Sequence, residues 1–451
     1  MSKNKKLNPA AQIAIGFFSV IAVGTLLLCL PISSQNGQWL PFIDGLFTST
    51  SAVCVTGLVV VDTAVYFSLF GQIVILVLIQ IGGLGFITIT ALFFFLIGKR
   101  ITLAERITIQ ESLNQENLQG IVKLVRNIII LVFATEFAGF AMLLPSFVGL
   151  YGWGDGIFKA LFTSISAFCN AGFDNIGVLG SEFTSIATFA NKPLILIPIM
   201  LLVITGGIGF IVVFDIGKKF KGKALSFHSK VVLIITAILV FGGALIFGLL
   251  EWNNPETIGN LSVFDKIVNC LFQSVTPRTA GFATFDTSKL SQGSILITDI
   301  LMFIGGSPAS TAGGVKTTTI LILLVTIFKR ENAQGNISFC KRKINTKMIK
   351  KSLRVVFSAI GLLVISTFLV CAFEGGAVNI SQAIFETISA ISTVGLSLGI
   401  TPLLCTGSKI VLAILMFAGR VGVITLSLAL ANRKPSINQD IEYPDSKLMI
   451  G

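Results

Sequence analysis

A short phrase, LFTSTSAVCVTGL at Leu46–Leu58, recurs through this chain. It returns as LFTSISAFCNAGF (Leu161–Phe173), as LFQSVTPRTAGF (Leu271–Phe282) and as IFETISAISTVGL (Ile384–Leu396). Ten residues separate Phe47 from Gly57, Phe162 from Gly172 and Phe385 from Gly395, and nine separate Phe272 from Gly281. The four glycines follow one another at intervals of 115, 109 and 114 residues. That period is too long for a solenoid unit, whose repeats run to about 50 residues. It points to four copies of one module arranged around an axis.

Each copy reads as a short helix followed by a turn that needs one glycine. In the first, Thr48, Ser49 and Ser51 form a polar side and Leu46, Phe47, Thr50 and Val53 an apolar one. Glycine permits backbone conformations that a Cβ hinders. One such copy is explained by a re-entrant loop that merely plugs a bundle. Four copies, each followed by a long apolar segment, call for more. Bare carbonyls at membrane depth are tolerated only where protein buries them or where they line a wet cavity. Rings of such carbonyls can replace the water around a dehydrated cation. Val55-Thr56-Gly57, Asn170-Ala171-Gly172, Thr279-Ala280-Gly281 and Thr393-Val394-Gly395 are the candidate filter segments. K+ is the metal ion expected there, and Thr393-Val394-Gly395 is the core of a potassium filter. The short helices can aim their negative ends inward to help hold a cation. One glycine per copy, where a tetrameric potassium channel has two, predicts a looser filter with fewer ordered ion sites.

Composition agrees with a membrane setting. Of 451 residues 53% are hydrophobic and 12% charged, with a mean hydropathy of +0.90, as for a chain whose main solvent is lipid. The first apolar run, from Pro9 to about Leu30, is too long for a signal-peptide core and has no small-residue cleavage site, so it is expected to be retained. The net charge of +12 sits in loops between apolar segments, where orientation requires it, and does not call for nucleic acid. The seven cysteines have no CxxC spacing and read as small buried hydrophobes. A single histidine, His228, argues against a His-based catalytic or zinc site.

In order, the chain predicts an all-α integral membrane fold of four tandem helix–pore loop–helix repeats, eight spans in all, around one pseudo-fourfold pore. The repeats occupy residues 1–100, 101–223, 224–345 and 346–451, the third with a broken second span and the fourth with a short cytoplasmic tail. Hairpins at Pro41–Leu58, Gly156–Phe173, Asp265–Phe282 and Ser381–Leu396 lie between spans near 9–30 and 67–97, 121–150 and 194–216, 231–250 and 295–328, and 353–373 and 410–431. The linker Ile101–Gln119 reads as an amphipathic helix or a connector. Basic clusters follow every second span: Lys99-Arg100, GKKFKGK, Lys329-Arg330 with Lys341-Arg342-Lys343, and Arg433-Lys434. Those loops and both termini are therefore expected to be cytoplasmic. The acids Asp44, Asp62, Asp155, Asp174, Glu182, Asp265 and Asp286 lie at the opposite ends, where they concentrate cations. Asp44 and Asp155 are also placed to cap pore helices.

The second spans share IGGLGF (Ile81–Phe86), TGGIGF (Thr205–Phe210), IGGSPAS (Ile304–Ser310) and AGRVGV (Ala418–Val423). Glycine pairs can serve close helix packing. That does not account for Gly305-Gly306-Ser307-Pro308-Ala309-Ser310-Thr311-Ala312-Gly313-Gly314, which puts four glycines and a proline in mid-span. A broken helix is expected, its irregular segment lying across the pore as a gate. Arg420 stands where the other copies have Leu84, Ile208 and Ser307, and exposed carbonyls of the broken segment are its expected partners. Glu136, Asp299, Arg278 and Lys316 are further charges in or near spans, and Arg278 is expected to be paired behind the filter.

On these residues, TPRTAGF and GGSPASTAGG above all, the chain resembles the membrane subunits of the Trk/Ktr/HKT superfamily of potassium transporters along nearly its whole length, most like its KtrB-type members. The resemblance implies a potassium-translocating subunit, commonly sodium-stimulated, in the cell membrane. It also implies a homodimer seated on a KtrA-like cytosolic ring of RCK-domain subunits that carry ATP or ADP. Na+ is then a second ion to consider, and nucleotide belongs to the partner alone. Gly57, where sodium-preferring plant relatives often have serine, favours potassium. The competing reading is an autonomous Na+- or H+-coupled secondary transporter, though such proteins usually carry inverted or paired repeats. An enzyme is the third, without a nucleophile–base pair or metal-ligand cluster to support it.

Overall fold

The computed structural model describes residues 9–85, 88, 91–92, 102–112, 120–177, 182–329, 337–340, 342–422 and 426. The chain is mostly helical. The first quarter contains α1 (Pro9–Cys29), the pore helix α2 (Phe42–Val53), a single turn α3 (Thr63–Tyr66) and α4 (Leu69–Leu84). Next come α5 (Leu103–Ser112), the 49-residue α6 (Ile121–Cys169), α7 (Pro193–Gly207) and α8 (Phe210–Lys219). The third quarter has α9 (Phe227–Glu251), the pore helix α10 (Val263–Val275), α11 (Gln292–Phe303) and α12 (Thr317–Phe328). A hairpin of β1 (Ser338–Phe339) and β2 (Arg342–Lys343), with Phe339 opposite Arg342, leads to α13 (Thr346–Glu374), the pore helix α14 (Ile380–Ser392) and α15 (Thr406–Val421).

Among the described residues four helices, in α1, α6, α9 and α13, are each long and apolar enough to cross a membrane. They fall where the sequence leads one to expect the first span of each repeat. The second spans behave differently. α4 stops at Gly85 (φ 81) and α15 at Gly422 (φ 91). α7 and α8 are bent by 102° about Gly209 (φ 94), so the continuous second span expected near 194–216 is instead a broken pair. α11 and α12 are separated by Ile304–Lys316, the interruption expected from GGSPASTAGG. A glycine at positive φ thus ends the helix at Gly85, Gly209 and Gly422 as well, so the break is not peculiar to the third copy. The ends of the spans expected at 67–97 and 410–431, Lys99-Arg100, Arg433-Lys434 and both termini lie outside the described residues.

The core forms where α2, the second half of α6, α10 and α14 meet α1, the first half of α6, α9 and α13. Phe47, Phe162, Phe272 and Phe385, the repeated phenylalanines, are fully buried. Two residues on, a hydroxyl reaches the first span in every copy. Ser49 donates to the Ile21 carbonyl (2.9 Å), Ser164 to Glu136 (2.6 Å), Ser274 to Val240 (2.8 Å), and Thr387 pairs with Thr367 Oγ1 (2.9 Å). One turn further along the first span, Gly24, Gly139 and Gly243 leave room for these hydroxyls, since a Cβ there would meet Ser49, Ser164 or Ser274 Oγ. Each such bond is worth about 1 kcal/mol. The outer faces carry Phe137, Phe241, Leu249, Phe357 and Phe368 exposed, as lipid contact requires.

Candidate ion pathway

α2, the second half of α6, α10 and α14 all lead into the same backbone turn. Val55, Asn170, Thr279 and Thr393 have φ between 51° and 72°, and Gly57, Gly172, Gly281 and Gly395 have φ between 70° and 94°. The residues between them, Thr56, Ala171, Ala280 and Val394, are not left-handed. Alternating handedness turns successive carbonyls toward one side of the strand, which an extended strand cannot do. The four segments then close on one another. A Cβ on Gly57 would meet the Ala171 carbonyl, one on Gly172 the Ala280 carbonyl at 2.7 Å, one on Gly281 the Val394 carbonyl, and one on Gly395 the Thr56 carbonyl. Each glycine faces the next repeat's middle residue, and the fourth returns to the first.

A hydroxyl four residues after each repeated phenylalanine holds the strand. Ser51 and Ser389 accept from the amides of Gly57 and Gly395, both at 3.1 Å. Ser166 and Thr276 donate to the Phe173 and Phe282 carbonyls, both at 2.6 Å. All four are buried. The motif's serines were visible in the sequence, but not that one spacing serves the first span and the other the strand.

Above the ring lies a cavity of about 480 Å³ lined by all four glycines and by Asp62, Asp174, Glu182 and Asp286. Asp44, Asp155 and Asp265 are not part of its lining. Asp44 is not the cap of α2, whose N-cap is Pro41; it pairs with Lys409 of α15 at 2.8 Å and so joins the fourth repeat to the first. Asp155 lies three residues past the break at Gly152 (φ 78), in the first turn of the second half of α6. Asp62 Oδ1 caps α3 while its Oδ2 accepts from the Phe183 amide (2.8 Å), joining the first repeat to the second. Asn269 donates to the Ala190 carbonyl (2.7 Å) between second and third, and Thr287 to the Ser397 carbonyl between third and fourth.

Below the ring runs the segment Gly305–Gly314. Ser307 and Thr311 amides donate to the Gly207 and Gly206 carbonyls (2.9 and 3.2 Å), and Ala309 accepts from Phe210 (2.8 Å). Thr311 Oγ1 reaches Phe168 O (3.2 Å) and Asn170 Oδ1 (3.3 Å), while Gly313 and Gly314 abut Thr393 and Ser392. The segment therefore spans from the second candidate filter segment to the fourth. Arg420 donates to the carbonyls of Thr311 and Gly82, and to Gly83 at 3.4 Å. Lys316 Nζ takes the next carbonyls, Ala312 (2.7 Å) and Gly313 (3.3 Å). The equivalence expected for Arg420 needs correcting. Gly82, Gly206 and Gly419 abut the carbonyls of Val53, Phe168 and Ile391, each six residues past its phenylalanine. Arg420 therefore matches Gly83 and Gly207, not Leu84 and Ile208.

Arg278 is buried, with Thr236 Oγ1 (3.4 Å) as its side-chain partner and, among the described residues, no carboxylate in ion-pair range. Glu136 accepts from Gln80 Nε2 at 2.9 and 3.2 Å. Cys54, Cys169 and Cys270 are buried as expected, whereas Cys340 and Cys405 are exposed. Glu386, which sequence reasoning passed over, is wholly buried in α14.

Long apolar helices and a central ring of loops with interrupted helices beneath define a multi-pass helical membrane protein. The TrkH family model, described as a cation transport protein, matches residues 4–439, and the chain belongs to that family. It is accordingly a transport protein and not an enzyme. It is 39% identical to the Ktr system potassium uptake protein B of Bacillus subtilis, over 99% of this chain and 97% of that one. It is 38% identical to the potassium/sodium uptake protein NtpJ of Enterococcus hirae, over 99% and 98%. The crystal structure of the potassium transporter TrkH from Vibrio parahaemolyticus shares the fold, with a TM-score of 0.73 at 17% identity over 95% of this chain and 86% of that one.

Proposed function

We propose that this chain is the potassium-translocating membrane subunit of a K+ uptake system, built as four helix–pore loop–helix repeats with eight spans. The observation that carries the reading is the cyclic ring, in which each filter glycine meets the next repeat's middle carbonyl. Carbonyls at 55–57, 170–172, 279–281 and 393–395 replace water around K+, and Asp62, Asp174, Glu182 and Asp286 supply cations to them from outside. Residues 305–314 form the gate. Arg420 and Lys316 donate to its carbonyls below the filter, and the arginine's positive charge there opposes passage of a cation until the segment moves. The termini and basic loops face the cytoplasm. There a homodimer of this chain meets an RCK-domain partner that carries the nucleotide, and sodium is a stimulating or second transported ion. The names of the Bacillus and Enterococcus relatives support potassium, with sodium beside it. The test is potassium uptake in cells stripped of their own uptake systems. Expression should restore growth at low potassium, and co-expression of an RCK-domain partner should raise the rate. Equal, partner-independent uptake driven by an imposed proton or sodium gradient would replace this reading with an autonomous carrier.

A further inference from the structure

Three repeats anchor the chain that leaves the filter with an acid on that same chain. Asp62 accepts from the amides of Ala64 (2.9 Å) and Val65 (3.0 Å), Asp174 from Ile176 (3.3 Å) and Asp286 from Ser288 (2.9 Å). The fourth exit segment, Leu396-Ser397-Leu398-Gly399-Ile400-Thr401, has no acid. A carboxylate reaches it from the pore helix instead. Glu386 accepts from Ser397 Oγ and, at 2.9 Å, from Thr401 Oγ1. Thr401 Oγ1 and Ser397 Oγ are 3.0 Å apart, and the Ser397 carbonyl in turn accepts from Thr287 of the third repeat. One residue after the repeated phenylalanine, the other copies place Thr48, Thr163 and Gln273. These are also buried, yet Thr48 Oγ1, Thr163 Oγ1 and both Gln273 amide atoms have no hydrogen-bond partner. The position is engaged in the fourth repeat alone.

We infer that Glu386 is a positioning residue for the fourth filter segment: it fixes the exit strand just beyond Gly395 and, through Ser397, locks that strand to the third repeat, thereby setting this quarter's contribution to ion preference. The inference rests on the filter reading given under Proposed function. A buried carboxylate is costly unless donors meet it, so the hydroxyls that hold Glu386 are themselves held, and the strand between them loses freedom. Ser397 and Thr401 line the outer cavity, so the fixed strand is the wall where an ion gives up its water.

The test uses the full chain in cells lacking other potassium uptake, with membrane abundance measured alongside K+ uptake in competition with Na+. Glu386→Gln keeps the volume and one acceptor, and Thr401→Val removes one donor. Each should lower K+ over Na+ preference roughly three- to tenfold. The double variant should be no worse than the poorer single one, because both cut the same link. A fall in maximal rate that follows abundance, with preference intact, would mean a purely structural role and overturn the inference. Preference intact in Glu386→Gln but altered in Gly395→Ser would overturn it while leaving the filter reading in place. No change in either would remove both.

Discussion

Val55, Thr279 and Thr393 are β-branched residues held at positive φ, where a Cβ and branched side chain cost about 1–2 kcal/mol each. Strain of this kind persists only where surroundings impose it. Here the imposing groups are the hydroxyls of Ser51, Thr276 and Ser389, which fix the strand at its next turn. The glycine two residues on cannot yield either. A Cβ on Gly57 would meet the Ala171 carbonyl and come within 3.0 Å of Gly172 Cα. Gly57→Ser should therefore displace the second repeat's carbonyls as well as its own, and lower K+ over Na+ preference by about tenfold or more with abundance maintained. Competition between the two ions in uptake assays reads this directly, and an unchanged ratio would contradict the filter assignment. The glycines were legible from spacing alone. The left-handed partners were not, because β-branching argues for extended backbone and only the ring geometry overrides it.

At the scale of elements the division is between the long apolar helices of α1, α6, α9 and α13 and the shorter apolar helices that stop at a glycine or an irregular segment. Hydropathy displayed the first clearly. It blurred the second, since apolar residues continue through the breaks at Gly85, Gly209 and Gly422 and a span of lipid-like composition reads as one helix. Only in the third copy did proline and glycine density announce the break. Arg420 belongs to this level because it fastens two interrupted elements together, the Thr311 carbonyl of the third repeat and the Gly82 and Gly83 carbonyls of the first. Arg420→Ala should release 305–314 from one side, raising potassium flux several-fold and weakening its dependence on the partner, with ion preference little changed. Shortening 305–314 should act in the same direction. Flux lost or unchanged in both variants, with the protein still in the membrane, would make this stretch a packing element.

Across the whole molecule, the distribution of charge predicts an orientation. The cavity above the ring gathers acids, while Lys218 and Lys219 in the last turn of α8, Lys221 and Lys223 just after it, and Arg342 and Lys343 in β2 carry the basic charge, which predicts that they face the cytoplasm. Two native cysteines are placed to report it. Cys405, exposed before α15, lies beside Glu374 at the filter-exit end, and Cys340 is exposed in the β1–β2 turn. On intact cells a membrane-impermeant maleimide should label a variant retaining only Cys405 and spare one retaining only Cys340; permeabilisation should expose both. Labelling of both from outside would refute the orientation. The four turns of the ring were readable because one phrase is spelled four times. The contacts that close the ring, Lys409 to Asp44 among them, join residues hundreds of positions apart and left no local trace. That closure has an evolutionary consequence. In a ring of four identical chains, every substitution is made four times at once. Here a single codon change alters one quadrant and leaves three as they were, so such a ring can drift in small, separately selectable steps, and its quadrants are free to specialise.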